Sequence, residues 1–150
     1  MTSATPPDLP VRRLRPDAVV PVRAHPGDAG LDLSAVEALE LPPGGRAACP
    51  TGLGVAIPEG HAGLVVPRSG LARRHGVTVA NAPGLIDAGY RGELTVVLVN
   101  LGDEPHRIAA GDRIAQLVVV PIALPAPAIV DELPASDGRG EGGFGSTGTS

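Results

Sequence analysis

The sequence lacks lysine and tryptophan, and its 150 residues include one tyrosine, one phenylalanine and one cysteine. With so few aromatic rings, a core must be filled by valine, leucine, isoleucine and alanine. A single domain of this length buries about 70% of the surface that its unfolded chain exposes, so such a core is attainable. The lone Cys49 excludes an internal disulfide and fits a reducing compartment.

Long apolar runs and basic runs are also missing. No stretch approaches the roughly 20 uninterrupted apolar residues of a membrane span, and the N-terminal MTSATPPDLPVRRLRPD lacks the apolar centre of a signal peptide. We therefore expect a soluble, cytoplasmic protein that contacts no membrane. The net charge of −4 argues against nucleic acid as a partner. An anionic small molecule stays compatible, because arginine matches phosphate oxygens in pairs, although genome base composition also explains arginine in place of lysine.

Short apolar runs separated by some of the 21 glycines and 17 prolines predict an all-β fold. The runs are rich in β-branched residues and occupy 18–24, 31–36, 52–58, 62–67, 77–81, 94–100, 106–110 and 113–124. Their pattern predicts a jelly-roll-like antiparallel sandwich or barrel. Residues 69–76 add at most one short helix, with Ser69 as its N-cap and Gly76 at its end.

The chain divides into three parts by composition. Residues 1–10 are expected to be a flexible N-terminus, residues 11–134 the β domain, and residues 135–150 a glycine-rich C-terminal arm. The arm is either an ordinary disordered terminus or a segment that closes over a ligand. Arg139 and Phe144, a cation and a ring in a glycine-rich stretch, favour closure.

Several common site motifs are excluded. Gly140, Gly142 and Gly145 spell a dinucleotide-binding pattern, but only five residues follow where a helix is required. A Walker-type loop needs lysine, and the four histidines lack metal-site spacing.

Five short clusters remain as candidates for chemistry. They are HPGDAGLDLSA (25–35), PRSGLA (67–72), NAPGLIDAGYRGEL (81–94), GDRIAQLVV (111–119) and RGEGGFGSTG (139–148). Each also has an ordinary structural explanation. In the first, Asp28 is a turn residue and Asp32 starts a strand; in the second, Ser69 is a helix cap and Arg68 a solvated charge; in the fourth, Gln116 faces solvent or bonds to backbone. The second also suits an anion, because helix N-termini present free N–H groups.

The third cluster predicts a hairpin with a shaped tip. Apolar runs flank it, Pro83-Gly84 is typical of a type II turn, and residues 87–90 suit a second turn. Asp87 follows Leu85 and Ile86, so partial burial is expected to raise the pKa of its carboxyl toward that of a usable base. The structural alternative is an ordinary hairpin with a packed Tyr90.

In this order and at these separations, the five clusters resemble the five motifs of the homotrimeric deoxyuridine triphosphatases (dUTPases). The resemblance runs from about residue 11 to residue 148. It implies a jelly-roll homotrimer whose three active sites are shared between subunits. It also implies hydrolysis of dUTP to dUMP and pyrophosphate by attack of water on the α-phosphorus, which limits uracil in DNA and supplies dUMP for thymidylate synthesis.

The resemblance assigns the base, the sugar and the water to the hairpin. It implies that uracil is held by Asn81, Gly84, Leu85 and Ile86, with Thr95 touching the base through its backbone. Tyr90 matches the tyrosine that packs under deoxyribose and leaves no room for a 2′-hydroxyl. Asp87 matches the aspartate that orients and deprotonates the attacking water.

The phosphates and the metal are assigned to the other clusters. The resemblance implies that a neighbouring subunit contacts the phosphates through Arg68, Ser69, Gly70 and Gln116. Mg²⁺ is held mainly by the phosphates, with Asp32 near its water shell and in contact only through water. Arg139 would reach the γ-phosphate, Phe144 would stack on uracil, and Ser146 and Thr147 would add polar contacts.

Two other functions stay open. One is a dCTP deaminase of the same fold, acting alone or bifunctionally; its candidate glutamate, Glu93, lies instead in the RGE of IDAGYRGEL, which resembles the triphosphatase motif. A non-catalytic nucleotide-binding module is also compatible with the fold.

Overall fold

The computed structural model describes residues 7–145 and 147–148. The strands are β1 Val11–Arg13, β2 Leu31–Ser34, β3 Leu39–Leu41, β4 Arg46–Pro50, β5 Leu53–Val55, β6 His61–Pro67, β7 Val77–Val79, β8 Gly84–Ile86, β9 Thr95–Asn100, β10 His106–Ile108 and β11 Arg113–Pro121. One helix, α1 Ser69–His75, completes the elements in the described ranges.

Two sheets and two short ribbons enclose a common core. One sheet has the order β2-β11-β6-β8, the other β4-β9-β7, and the ribbons pair β3 with β10 and β1 with β5, every pairing being antiparallel. Leu33 and Leu117 from the first sheet and Val96 and Leu98 from the second belong to one buried cluster. Each such side chain contributes about 1.5–3 kcal/mol by leaving water. The predicted all-β, jelly-roll-like antiparallel fold is confirmed.

The single short helix is confirmed, but its predicted cap is wrong. Arg68 is the N-cap residue, in an extended conformation and without a side-chain cap, and Ser69 is the first helical residue. Gly76 ends the helix in the left-handed region at φ 69°. A Cβ at Gly76 would lie 2.5 Å from the backbone nitrogen of Gly102, so the loop after β9 leaves no space for a side chain there.

Seven of the eight predicted runs contain a strand. The exception is 18–24, where only an isolated bridge joins Val22 to Asp32; Pro21 in the middle of this run has no N–H to donate. Four strands were missed: β1, β3, β4 and β8. The first three lie in segments with little β-branched character, where pairing with a partner strand decides the conformation.

The predicted hairpin is confirmed, although its tip differs from the expectation. β7 pairs with β9, but the connection leaves this sheet and forms β8, which pairs with β6 in the other sheet. The type II turn is wrong, because such a turn needs a positive φ at Gly84, whereas Gly84 has no left-handed φ and is the first residue of β8. The second turn is present: the Tyr90 N–H donates to the Asp87 carbonyl at 3.1 Å.

The single cysteine lies in the core. Cys49 is fully buried, and burial raises the pKa of its thiol to about 11. After Pro121 the described chain is exposed except at the half-buried Gly142 and Gly143, and it has no regular strand or helix. Within the described residues no helix is long and apolar enough to cross a membrane. The three-part division of the chain stays a prediction.

Candidate active site

A cavity of about 230 Å³ lies at the hairpin tip, between β8 and the start of β9. Its lining includes all seven residues that were assigned to base, sugar and water: Asn81, Gly84, Leu85, Ile86, Asp87, Tyr90 and Thr95. Core residues such as Val65, Val79 and Val96 form its floor. We call it the hairpin cavity.

Strand β8 fixes the walls of the hairpin cavity. Its pairing sets Leu85 opposite Leu64 and Gly84 opposite Val65. Ile86 is buried in the core, whereas Leu85 is 67% exposed. A Cβ at Gly84 would lie 3.2 Å from the Val65 Cβ and 3.4 Å from the Asn81 Nδ2. Glycine at this position therefore lets the strand lie close to β6 and leaves room for the asparagine amide.

The polar groups of the hairpin cavity lie at its rim. The Tyr90 side chain is partly exposed, and its hydroxyl donates to the Glu93 carbonyl at 2.9 Å. Asp87 is exposed, so the partial burial expected for its carboxyl is wrong for the single chain. The reason is local: the chain turns outward after Ile86, and the exposed Leu85 does not cover the carboxylate.

A second cavity, of about 280 Å³, lies beside β2, β11 and the end of β6. Three of the predicted phosphate or metal-water residues, Asp32, Arg68 and Gln116, line it together with Arg113. The remaining lining residues are Ala24, Asp28, Ala29 and Gly30. We call it the arginine cavity.

Asp32 is the anchor of the arginine cavity. Its nearly buried carboxylate pairs with the Arg113 Nη1 at 3.3 Å and lies 3.7 Å from the Arg68 Nε. Arg68 also donates from Nη1 to the Arg113 carbonyl at 3.1 Å. Its Nε is buried without a hydrogen-bond partner among the described residues. Two cations thus share the Asp32 carboxylate, and with Asp28 the lining carries two positive and two negative side chains.

Gln116 is held in the same cavity by strand register. It lies opposite Asp32 on β2 and opposite Val66 on β6. The buried Ala115 and Leu117 on either side point into the core, so the Gln116 side chain points away from it. A Cβ at Gly30 would lie 2.6 Å from the Gln116 Oε1, so a glycine at 30 makes room for this amide.

Arg113 is the site residue that sequence reasoning missed. It begins β11 and lies inside the predicted Gln116 cluster, but its partner Asp32 lies 81 positions earlier in the chain. The signal that was available is the presence of Arg113 within the GDRIAQLVV cluster itself.

Comparison with known proteins gives the family. Residues 17–148 match the family model described as dUTPase. The chain belongs to the dUTPase family. A deoxyuridine 5'-triphosphate nucleotidohydrolase of Leifsonia xyli subsp. xyli is 54% identical over 142 residues, covering 94% of this chain and 90% of the relative. One from Anaeromyxobacter sp. is 62% identical over 122 residues, covering 81% and 82%.

Solved dUTPase structures have the same fold. Staphylococcus bacteriophage 80alpha dUTPase with dUPNHPP superposes with a TM-score of 0.89 at 35% identity, covering 95% of this chain and 99% of that chain. A mutant dUTPase from phage phi11 of S. aureus, whose structure concerns the coordination of a structural Mg(II) ion, has a TM-score of 0.78 at 33% identity and covers 84% and 98%.

The remaining residues implied by the dUTPase resemblance do not line either cavity. Ser69 and Gly70 form the first turn of α1, next to Arg68. Arg139 donates from Nε to the Gly142 carbonyl at 2.8 Å, and the described hydrogen bonds of the arm join arm residues only. Phe144 and Thr147 are exposed, and Ser146 lies outside the described residues.

The carboxylates available to a metal ion are few. Among the described residues no group of three or more His, Cys, Asp or Glu side chains is arranged to hold a metal. Asp28 and Asp32 line the arginine cavity, and Asp32 is already paired with Arg113. This donor set fits a magnesium ion that takes most of its ligands from phosphates and water, and it does not fit a cage made by the protein.

Proposed function

We propose that this chain hydrolyses dUTP to dUMP and pyrophosphate, and thereby limits uracil in DNA and supplies dUMP for thymidylate synthesis. The observation that carries the proposal is the composition of the hairpin cavity. Seven residues with separate implied roles toward base, sugar and water line this one space. The arginine cavity holds Arg68 and Gln116, two of the residues implied to contact phosphate.

Uracil is held in the hairpin cavity by backbone groups of β8 and by the Asn81 amide. A slot with fixed donors and acceptors rejects cytosine, because an unmatched buried polar group costs about 1–3 kcal/mol. The Tyr90 ring packs under the sugar, and its hydroxyl is already engaged by the Glu93 carbonyl. The phenol ring therefore presents its face to the sugar and suits a 2′-carbon that carries no hydroxyl.

Asp87 is the catalytic base in this proposal. Its carboxylate accepts a proton from water while the water oxygen bonds to the α-phosphorus. The bond from the α-phosphorus to the bridging oxygen breaks, and pyrophosphate leaves with that oxygen. A positioned base of this kind contributes about 10²–10⁴-fold in rate. The exposure of Asp87 in the single chain is compatible with a site completed by other segments.

The phosphates bind to the arginine cavity of a neighbouring subunit. Arg68, with its unpartnered buried Nε, and Gln116 are the donors, and Ser69 and Gly70 add N–H groups at the start of α1. Asp32 and Arg113 hold the Arg68 guanidinium in place. Fixed cations around the triphosphate stabilise the charge that develops as pyrophosphate departs.

Mg²⁺ is the proposed cofactor, and a magnesium ion in the phi11 relative supports a metal requirement. Asp32, through water, is the side chain that would face it. When bound, the ion would neutralise triphosphate charge and polarise the phosphate under attack.

The proposed assembly is a homotrimer, as the dUTPase resemblance implies. Residues implied to bind base and phosphate line two different cavities of one chain, which fits active sites shared between subunits. Exposed apolar side chains are available for assembly, among them Val22, Leu124 and Leu133. The arm is proposed to close over the bound nucleotide with Arg139 on the γ-phosphate and Phe144 on uracil, while Ser146 and Thr147 add polar contacts. The cytoplasm stays the predicted location.

The deaminase alternative loses support from the position of Glu93. Its carboxylate accepts the Gly52 N–H at 2.7 Å, which ties the hairpin to the loop before β5. This contact gives Glu93, which also lines the hairpin cavity, a structural role that needs no deaminase chemistry.

Product analysis tests the proposal. The protein is incubated with Mg²⁺ and, separately, with dUTP, dCTP, dTTP and UTP, and nucleotides, pyrophosphate and ammonia are measured. We expect dUMP and pyrophosphate from dUTP alone. Ammonia from dCTP would assign the deaminase function, and no product from any nucleotide would leave a binding module.

A further inference from the structure

The Tyr90 ring is held at its hydroxyl end by the residues that follow it. The hydroxyl donates to the Glu93 carbonyl at 2.9 Å, across a turn of three residues. The Glu93 carboxylate in turn accepts the Gly52 N–H at 2.7 Å. The acceptor of the Tyr90 hydroxyl is therefore fixed to a second loop of the body.

Gly92 lies under the same end of the ring. A Cβ at Gly92 would lie 2.5 Å from the Tyr90 Oη, 2.7 Å from Cζ and 3.0 Å from Cε2. Carbon atoms do not approach so closely, so any side chain at this position displaces the ring. All three atoms belong to one half-exposed side chain that is able to move, and the backbone at Gly92 has no left-handed φ.

Gly89, on the other side of Tyr90, behaves differently. Beyond its chain neighbours Ala88 and Tyr90, a Cβ there would meet no atom within 4 Å, and its φ is also outside the left-handed region. The two glycines therefore form a matched pair. Alanine at Gly89 enters open space, whereas alanine at Gly92 enters the space that the Tyr90 phenol occupies.

We infer that Gly92 is a positioning residue that sets substrate specificity through Tyr90, an inference that rests on the proposed function. The missing side chain at Gly92 lets the phenol lie down onto the chain and reach the Glu93 carbonyl. In that position the ring face packs against deoxyribose and leaves no space for the 2′-hydroxyl of ribose. Discrimination against a 2′-hydroxyl thus depends on a glycine that does not itself touch the nucleotide.

Steady-state kinetics on dUTP and UTP provide the first test. We expect Gly92→Ala to lower the ratio of kcat/KM for dUTP to that for UTP by about ten-fold or more, since misplacement by about 1 Å costs up to ~10²-fold. UTP gains space and dUTP loses its packing surface. Gly89→Ala should keep both kcat/KM values within about two-fold of wild type, in line with distant or unstrained substitutions.

Tyrosine fluorescence gives a second test that does not depend on turnover. Tyr90 is the only tyrosine and tryptophan is absent, so the emission reports on this ring alone. We expect the acrylamide quenching constant of Gly92→Ala to depart from the wild-type value and that of Gly89→Ala to equal it. If wild type forms no dUMP, the proposed function fails while the quenching data still judge the position of Tyr90.

A double variant keeps the inference open to refutation if Gly92→Ala folds poorly. Tyr90→Phe removes the atom nearest to the added Cβ, so Tyr90→Phe/Gly92→Ala should recover part of the stability lost in Gly92→Ala. Strictly additive effects would contradict the contact on which the inference rests. An unchanged nucleotide ratio together with unchanged quenching in a folded Gly92→Ala protein would overturn the inference.

Discussion

Asp32 and Arg113 fix the position of the Arg68 guanidinium in the arginine cavity. The carboxylate of Asp32 is nearly buried and meets two guanidinium groups, and the Arg113 carbonyl accepts a hydrogen bond from Arg68. Arg113 therefore holds Arg68 both directly and through Asp32. Arg68, the proposed phosphate ligand, is thus oriented by a residue that the sequence analysis did not single out.

Arg113→Gln should lower kcat/KM for dUTP more strongly than it lowers the free energy of unfolding. Asp32 would lose one of its two charged partners, and a hydrogen bond to a charged group is worth about 1.5–3 kcal/mol. We expect kcat/KM for dUTP to fall about ten-fold or more, measured by pyrophosphate release. The control is Arg46→Gln, at an exposed cation of β4; equal activity of the two variants would refute the role of Arg113.

Asp87→Asn separates binding from chemistry. The amide keeps the shape of the side chain but cannot take a proton from water, so kcat should fall by about 10²–10⁴-fold. The dissociation constant of a non-hydrolysable dUTP analogue should stay within about three-fold of wild type. Asp103→Asn, at an exposed acid outside both cavities, is the control. Wild-type turnover in Asp87→Asn would remove Asp87 from the mechanism.

At the scale of elements, the sequence predicts long β-branched strands well and segments with mixed composition poorly. β6, β9 and β11 are read directly from their apolar runs. β4, with the sequence RAACP, is a strand because it pairs with β9 along its whole length. Most of the hairpin-cavity residues could be anticipated because they lie within the single motif 81–94, whereas the pairing of Arg113 with Asp32 depends on tertiary contact across 81 positions.

Helix α1 and strand β10 meet through two histidines. The rings of His75 and His106 have centroids 4.5 Å apart and an interplanar angle of 37°. Burial and then the neighbouring His75 lower the pKa of His106, while Asp112 acts in the opposite direction. The folded state therefore binds a proton at His106 less readily than the unfolded state does.

The pH dependence of stability follows from that shift. With the folded pKa below the unfolded value of about 6.5, stability is fully present above that value and is lost as pH falls through the window beneath it. We expect Tm to decrease between about pH 7 and pH 5, and to decrease less in His106→Gln. Thermal unfolding followed by circular dichroism measures this, with His61→Gln on β6 as the control. An identical pH slope in His106→Gln would contradict the prediction.

On the scale of the whole molecule, the β domain (the body, residues 11–134) and the arm (residues 135–150) differ in how they are packed. One buried cluster joins both sheets. The described arm is exposed except at the half-buried Gly142 and Gly143, and its hydrogen bonds are internal. The fold of the body should therefore not depend on the arm, whereas closure over a nucleotide would.

Deletion of residues 136–150 tests this division of labour. We expect Tm to stay within about 2 °C of wild type, because surface changes alter stability by roughly 0.5 kcal/mol or less, while turnover of dUTP falls at least about 10²-fold. Arg139→Gln should reproduce part of the loss, and Glu141→Gln should reproduce none. A truncated protein with full activity would reduce the arm to a passive terminus.

The central claim is that the hairpin and arginine cavities together direct water to the α-phosphorus of dUTP. Hydrolysis in isotopically labelled water, followed by mass spectrometry of both products, tests it most directly. The mechanism predicts one labelled oxygen in dUMP and none in pyrophosphate. Label in pyrophosphate, or no hydrolysis of dUTP, would contradict it.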